Sequence, residues 1–130
     1  MSLLIDFGLC LTLWFVQLIA YPQFAQCAPE KLVAWHARYT HRIAFFVLPL
    51  MLGQLGWSAW GLFQEVTLLT SVRLLLILAA WALTFGYFLP LHQKIASGQA
   101  QAIDLQRLVA WNWPRTALWT AVFLLSLGRN

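Results

Sequence analysis

Charge is what this chain has least of: Asp, Glu, Lys and Arg make up 9% of its 130 residues, against about 25% in an ordinary soluble domain. Only four of these residues are acidic. Such scarcity excludes a disordered chain, which needs charge to stay solvated, and equally a soluble enzyme domain. Cysteine is nearly absent too. Cys10 and Cys27 exclude a disulfide scaffold, and with no CxxC there is neither a thioredoxin-like pair nor a zinc motif. Both read as unremarkable thiols. No Walker loop, GxSxG or HExxH occurs, which disfavours nucleotide hydrolysis and the common hydrolase mechanisms. The net charge of +4 is dispersed, with no basic run. It points to membrane orientation and anionic lipid, not to nucleic acid.

What the chain has in abundance is apolar surface. Hydrophobic residues reach 62%, where about 45–50% is usual. The expectation is one polytopic membrane domain over residues 1–130, all-α, a four-transmembrane-helix bundle. A span takes about 20 mostly apolar residues, and four segments qualify, at about 3–21, 43–63, 72–91 and 108–128. The fourth is the least simple, because Thr116 to Gly128 is only 13 uncharged residues. That length covers about 20 Å, so the span must start near Leu108 and carry Arg115 into the bilayer. The start of the chain shows no basic region of a cleaved signal peptide.

Orientation follows from the bases. Lys31, Arg38 and Arg42 follow the first span, and Lys94, Arg107 and Arg115 separate the third from the fourth, leaving Arg73 and Arg129 for the other face. The positive-inside rule puts the six-base face in the cytoplasm and both termini outside, the topology of a bacterial inner-membrane protein. His36, His41 and His92 fall on the cytoplasmic side. Pro29-Glu30 fits the first turn of a helix that runs through Lys31–Arg42 into the second span, with Pro49 expected to kink it. Val66 to Ser71 reads as an outer hairpin loop, and Leu91 to Gln106 as a polar inner connection turning at Ser97-Gly98.

The two halves share a pattern. Leu32-Val33-Ala34-Trp35 recurs as Leu108-Val109-Ala110-Trp111, Thr40 matches Thr116, and Tyr21-Pro22 and Tyr87 with Pro90 end the spans before them. Two duplicated hairpins related by an axis along the membrane normal would give this pattern, as would chance in a chain so rich in Leu, Ala and Trp. Duplication would set His36 and Asn112 in equivalent, facing positions.

Arg115 is the sharpest single residue, since an arginine at that depth faces protein, water or a ligand. Asn112, Thr116 and Trp119 share its helix surface, and the set could hold a carboxylate, a phosphate or a quinone-type oxygen. The alternative is that Arg115 snorkels to the headgroups. His36 and His41 lie roughly 140° apart on a helix, so they cannot share a metal. His36 and His92, at one depth, could hold haem axially or bind metal with Asp104. They could instead serve as interfacial hydrogen-bonding groups or as acid–base residues. Asp6 and Glu65 are expected at the outer face, Asp6 in headgroups, with Glu30 and Asp104 inside. Trp57, Trp60 and Trp81 read as belts and lipid contacts.

Tyr21-Pro22-Gln23-Phe24, Tyr39-Thr40-His41-Arg42 with Pro49-Leu50-Met51, Leu89-Pro90-Leu91-His92, and Asn112-Trp113-Pro114-Arg115-Thr116 with Trp119-Thr120 occur together in one family. On these segments the chain resembles, over nearly its whole length, a family of small four-span bacterial membrane proteins with an Asn-Trp-x-Arg-Thr-x-x-Trp-Thr motif. A looser similarity runs to the anthrone-oxygenase-like domain, a membrane family associated with oxidising polycyclic aromatic substrates. That similarity implies His92, Asn112 and Arg115 as site residues. Two positions depart from the pattern: Pro114 stands where an aliphatic residue is expected, and Gln54 where an acid is. Pro114 would kink the fourth span or begin it afresh.

The functional expectation is a site for an amphipathic or aromatic, redox-active ligand near the cytoplasmic interface, formed by Arg115, Asn112, His92, His41, His36 and Trp119. Haem, a quinone or a metal could occupy it, and an oxidoreductase is its enzymatic form. The rival expectation is an accessory subunit that packs on a larger membrane complex through its tryptophan faces. A small transporter working as a homo-oligomer of duplicated hairpins is a third.

Overall fold

The computed structural model describes residues 1–128, so Arg129, expected on the outer face, lies outside the described residues. Those residues form four long helices and no strand. We number them α1 (Ser2–Gln26), α2 (Pro29–Gln64), α3 (Leu68–Ala96) and α4 (Ala102–Leu127). The first three are long and apolar enough to cross a membrane. At 26 residues, α4 is about 39 Å long, but it carries Asp104, Arg107, Asn112 and Arg115. Each helix packs on its neighbours in chain order, and α4 closes the ring against α1. The outer surface is apolar (Leu4, Leu11, Leu18, Phe45, Leu52, Leu75) while Asp6, Gln17, Gln54, Arg73 and Asn112 are buried. This is the reverse of a soluble protein and what a lipid solvent demands.

The sequence pattern explains where helices start and stop. Pro29 opens α2, with Glu30 in its first turn, where a missing N–H costs nothing and an acid meets the positive dipole end. Thr67 and Thr70 cap α3 reciprocally, each side chain bonded to the other's backbone N–H at 2.9 and 3.1 Å. Gly98, at φ +74, makes the left-handed turn after α3. Three expectations need correction here. The hairpin loop is not Val66 to Ser71, because α2 ends at Gln64 and α3 already begins at Leu68. The inner connection is far shorter than Leu91 to Gln106, because α3 continues to Ala96 and α4 begins at Ala102. Nor does Pro114 begin the helix afresh, since α4 runs through it, as α2 runs through Pro49.

Both α1 and α3 contain one π turn, at Val16–Ala20 and Thr84–Phe88, and in each the second residue after it is proline, Pro22 or Pro90. Proline lacks the N–H for the ordinary helical bond and crowds the carbonyl four residues back, and widening the preceding turn relieves both problems. One inserted residue also turns the rest of the helix by about 100°. At and after the two turns, Tyr21 and Phe24 of α1 and Phe88, Leu91 and Ile95 of α3 form one buried cluster with Leu108. A second cluster (Leu9, Leu13, Met51, Ala80, Trp119) fills the middle of the bundle.

Candidate functional site

Two polar networks lie inside the bundle. At the end near the start of α1, Asp6 is fully buried and ion-paired to Arg73 at 2.7 Å. Gln54 donates to the other oxygen of Asp6 (2.7 Å), Arg73 Nε donates to Ser58 (2.8 Å), and Ser126 bonds both Arg73 and Asp6. Every helix contributes. The expected headgroup position of Asp6 is therefore wrong: a guanidinium and an amide supply what water would, and the carboxylate stays inside. Joining side chains of all four helices by ion pair and hydrogen bond, this network acts as a lock between helices.

The second network gathers residues near the other end. Arg115 points inward, 8% exposed, and does not snorkel. Its Nε donates to Asn112 Oδ1 (2.9 Å), its Nη2 to the Tyr21 hydroxyl (3.0 Å), and its guanidinium carbon sits 4.0 Å from the centre of the Phe88 ring. Tyr21 lies 3.1 Å from His92 Nε2, and His92 Nδ1 lies 2.8 Å from His36 Nε2. Four helices again meet, here because the π turns swing Tyr21 and the segment holding His92 inward.

Donor chemistry orients this chain. Arginine can only donate, so the Tyr21 oxygen accepts from Arg115 and its own proton is free for His92 Nε2. With both imidazoles neutral, His92 then holds its proton on Nδ1 and donates it to His36 Nε2. His36 is left with an N–H at Nδ1, which is buried and has no partner among the described residues. The order Arg115, Tyr21, His92, His36 is a directed run of hydrogen bonds, fixed at its head by an arginine that keeps its protons.

Beside the run lies a mostly apolar cavity of about 280 Å3, between α2 and α3, reached by Arg115, His92 and Tyr39 and floored by Met51 and Trp119. Leu48, Phe85 and Leu89, each more than two-fifths exposed, stand at its rim, so its mouth faces sideways out of the bundle. Trp119 joins the two networks: its indole donates to Gln54 Oε1 (2.9 Å) and its ring is 6.0 Å from Arg115.

The sequence candidates are thus divided. Arg115, Asn112, His92 and His36 come together, Trp119 borders the cavity, and His41 is exposed on α2, outside the cluster. His36 and Asn112 do not meet face to face, because His92, Tyr21 and Arg115 stand between them. Asp104 takes no part with the histidines: it accepts from the Gln101 N–H (2.9 Å) and pairs with Lys94 (3.2 Å) and Arg107 (3.9 Å). Two imidazoles on one metal would hold their nitrogens about 3.3 Å apart in a tetrahedral site and about 4 Å apart across a haem, given bonds of about 2.0–2.1 Å. At 2.8 Å, His36 and His92 are spaced to share a proton instead. Among the described residues, no three His, Cys, Asp or Glu side chains gather as a metal site.

Sequence reasoning missed Arg73, Tyr39 and the bridging part of Tyr21. A tyrosine at a span end reads as an interface anchor, and only its place just before a proline hinted otherwise. The signal for Arg73 was available in the isolated polar residues Asp6, Gln54, Ser58 and Ser126, since each one in an apolar segment needs a partner inside. In comparisons with known proteins, no family model, no curated protein and no solved structure matches this chain.

Proposed function

We propose that this protein is a four-span integral membrane protein, α4 included, that binds one amphipathic or aromatic ligand in the cavity between α2 and α3. The observation that carries the reading is a cavity whose lining is mostly apolar and includes Arg115, His92, Tyr21 and Tyr39. Such a site, apolar with a few convergent polar groups, is the usual form of a small-molecule pocket. A mouth facing sideways admits a ligand dissolved in lipid. The positive-inside rule sets this end at the cytoplasmic face of a bacterial inner membrane, and the matched π turns support two duplicated hairpins. The Tyr21–His92–His36 run would supply or remove a proton at the ligand's polar end. That is the service an oxidoreductase acting on a quinone or another aromatic substrate needs.

The test fills the cavity and leaves the hydrogen bonds alone. Ala44 lines it, so Ala44→Trp occupies its volume, while Leu75→Trp adds the same side chain to an exposed position. Native mass spectra and absorbance spectra of gently purified protein should show a stoichiometric small molecule in the wild type and in Leu75→Trp, but not in Ala44→Trp. A bare wild type, or a molecule retained in Ala44→Trp, would sink the ligand-site reading and leave the accessory subunit of a larger complex in its place.

A further inference from the structure

All four acidic side chains of the chain are accounted for. Asp6 is paired with Arg73, Asp104 with Lys94 and Arg107, and Glu30 and Glu65 are exposed. Arg115 is therefore a buried cation that no carboxylate among the described residues neutralises. Its neighbours are neutral oxygens on Asn112 and Tyr21 and the faces of aromatic rings. The protein deals differently with Arg73, whose burial comes with Asp6 at 2.7 Å. A buried charge without a counter-ion is costly, and more so in lipid. Arg115 lines the cavity and its Nη1 has no hydrogen-bond partner among the described residues. Tyr39 lines the same cavity, and its hydroxyl has no hydrogen-bond partner among the described residues either.

We propose that the occupant of the cavity is an amphipathic carboxylate, whose single negative charge is the missing counter-ion of Arg115 and whose second oxygen accepts from Tyr39. This deepens the ligand-site reading and rests on it. One guanidinium calls for one negative charge: a phosphate monoester, close to doubly charged, would bring an excess into a low dielectric. An anionic diacyl phospholipid also carries a single charge, but it brings two acyl chains to a cavity of about 280 Å3. A carboxylate on one apolar body fits both the charge and the space, and Arg–carboxylate bonds are among the strongest polar contacts a protein makes.

The probe is cis-parinarate, a fluorescent polyene carboxylate, titrated against its uncharged methyl ester into the protein in phosphatidylcholine nanodiscs. The expected result is that wild type binds the acid about tenfold more tightly than the ester. That preference should fall to within about twofold in Arg115→Gln, persist in Arg115→Lys, and be unaffected by Arg38→Gln/Arg42→Gln, which removes exposed cations. Arg115→Lys keeps the charge, so it separates a lost counter-ion from a lost fold. Equal binding of acid and ester by wild type would overturn the carboxylate inference and leave the cavity reading standing. So would an acid preference that survives Arg115→Gln, or one abolished by phosphatidylglycerol in the disc. Failure to bind either probe would overturn both.

Discussion

Asp6, in the second turn of the first helix, and Arg73, in the second turn of the third, form a 2.7 Å ion pair inside the bundle. Neither has water to fall back on, so removing one partner strands the other. Asp6→Asn or Arg73→Met should each cost about 3–5 kcal/mol, the usual penalty for an orphaned buried charge. Asp6→Asn/Arg73→Met, which removes both charges, should be clearly more stable than the sum of the two single losses predicts. Detergent unfolding curves of the single and double variants decide this. Additive losses would mean that the pair is not coupled.

Tyr21 is the hinge of the second network, accepting from Arg115 and donating to His92. Tyr21→Phe removes both bonds while keeping the ring that packs on Phe24 and Phe88. The expected loss is about 1–3 kcal/mol, the cost of leaving buried polar groups unmatched. Nitrogen chemical shifts of labelled imidazoles give a sharper reading. In wild type, His92 should carry its proton on Nδ1. In Tyr21→Phe the pull on Nε2 is gone and the tautomers should mix. A wild-type His92 protonated on Nε2 would reverse the direction of the hydrogen-bond run.

The helices were legible in the sequence because lipid imposes a crude rule, length and apolarity, that composition alone satisfies. Arg115 and Asn112 were legible as site candidates for the complementary reason: a polar group at that depth must have company. Which company was not legible. His36 and His41 look equivalent along the chain, yet α2 buries the first and exposes the second. The choice depends on how α3 packs, and that depends on a π turn whose only sequence mark is Pro90. The depth of Asp6 was misjudged on the same ground, since its burial requires Arg73 and Gln54 from two other helices.

Gly98 turns the chain out of α3 with φ +74. A Cβ added there would meet nothing closer than Val33 Cγ2 at 3.8 Å, an ordinary contact. The cost of Gly98→Ala is therefore conformational alone, about 1–2 kcal/mol for a side chain in the left-handed region. Gly98→Asn should recover part of it, because asparagine tolerates that region better. Thermal unfolding of the two variants should rank wild type, Asn, Ala. An alanine variant as stable as wild type would show that the turn relaxes to another conformation.

Asp104 gives the Gly98 end of the bundle a dependence on pH with a definite sign. The Gln101 N–H at the start of α4, and after it Lys94 and Arg107, hold its carboxyl below the ordinary value of 3.8. Burial opposes them without prevailing. A carboxylate whose value is lower in the folded state than in the unfolded one stabilises the fold in full at pH above the unfolded value. Its contribution then disappears as pH falls from there through the folded value. Between pH 7 and 5 Asp104 should thus add a constant amount, and below about pH 4 the wild type should lose it progressively. Asp104→Asn lacks the titrating group. Its melting temperature should lie below the wild type's at pH 7, and the gap should narrow as pH falls below 4. A gap of constant size down to pH 2.5 would mean that Asp104 stabilises the start of α4 through shape and not through charge.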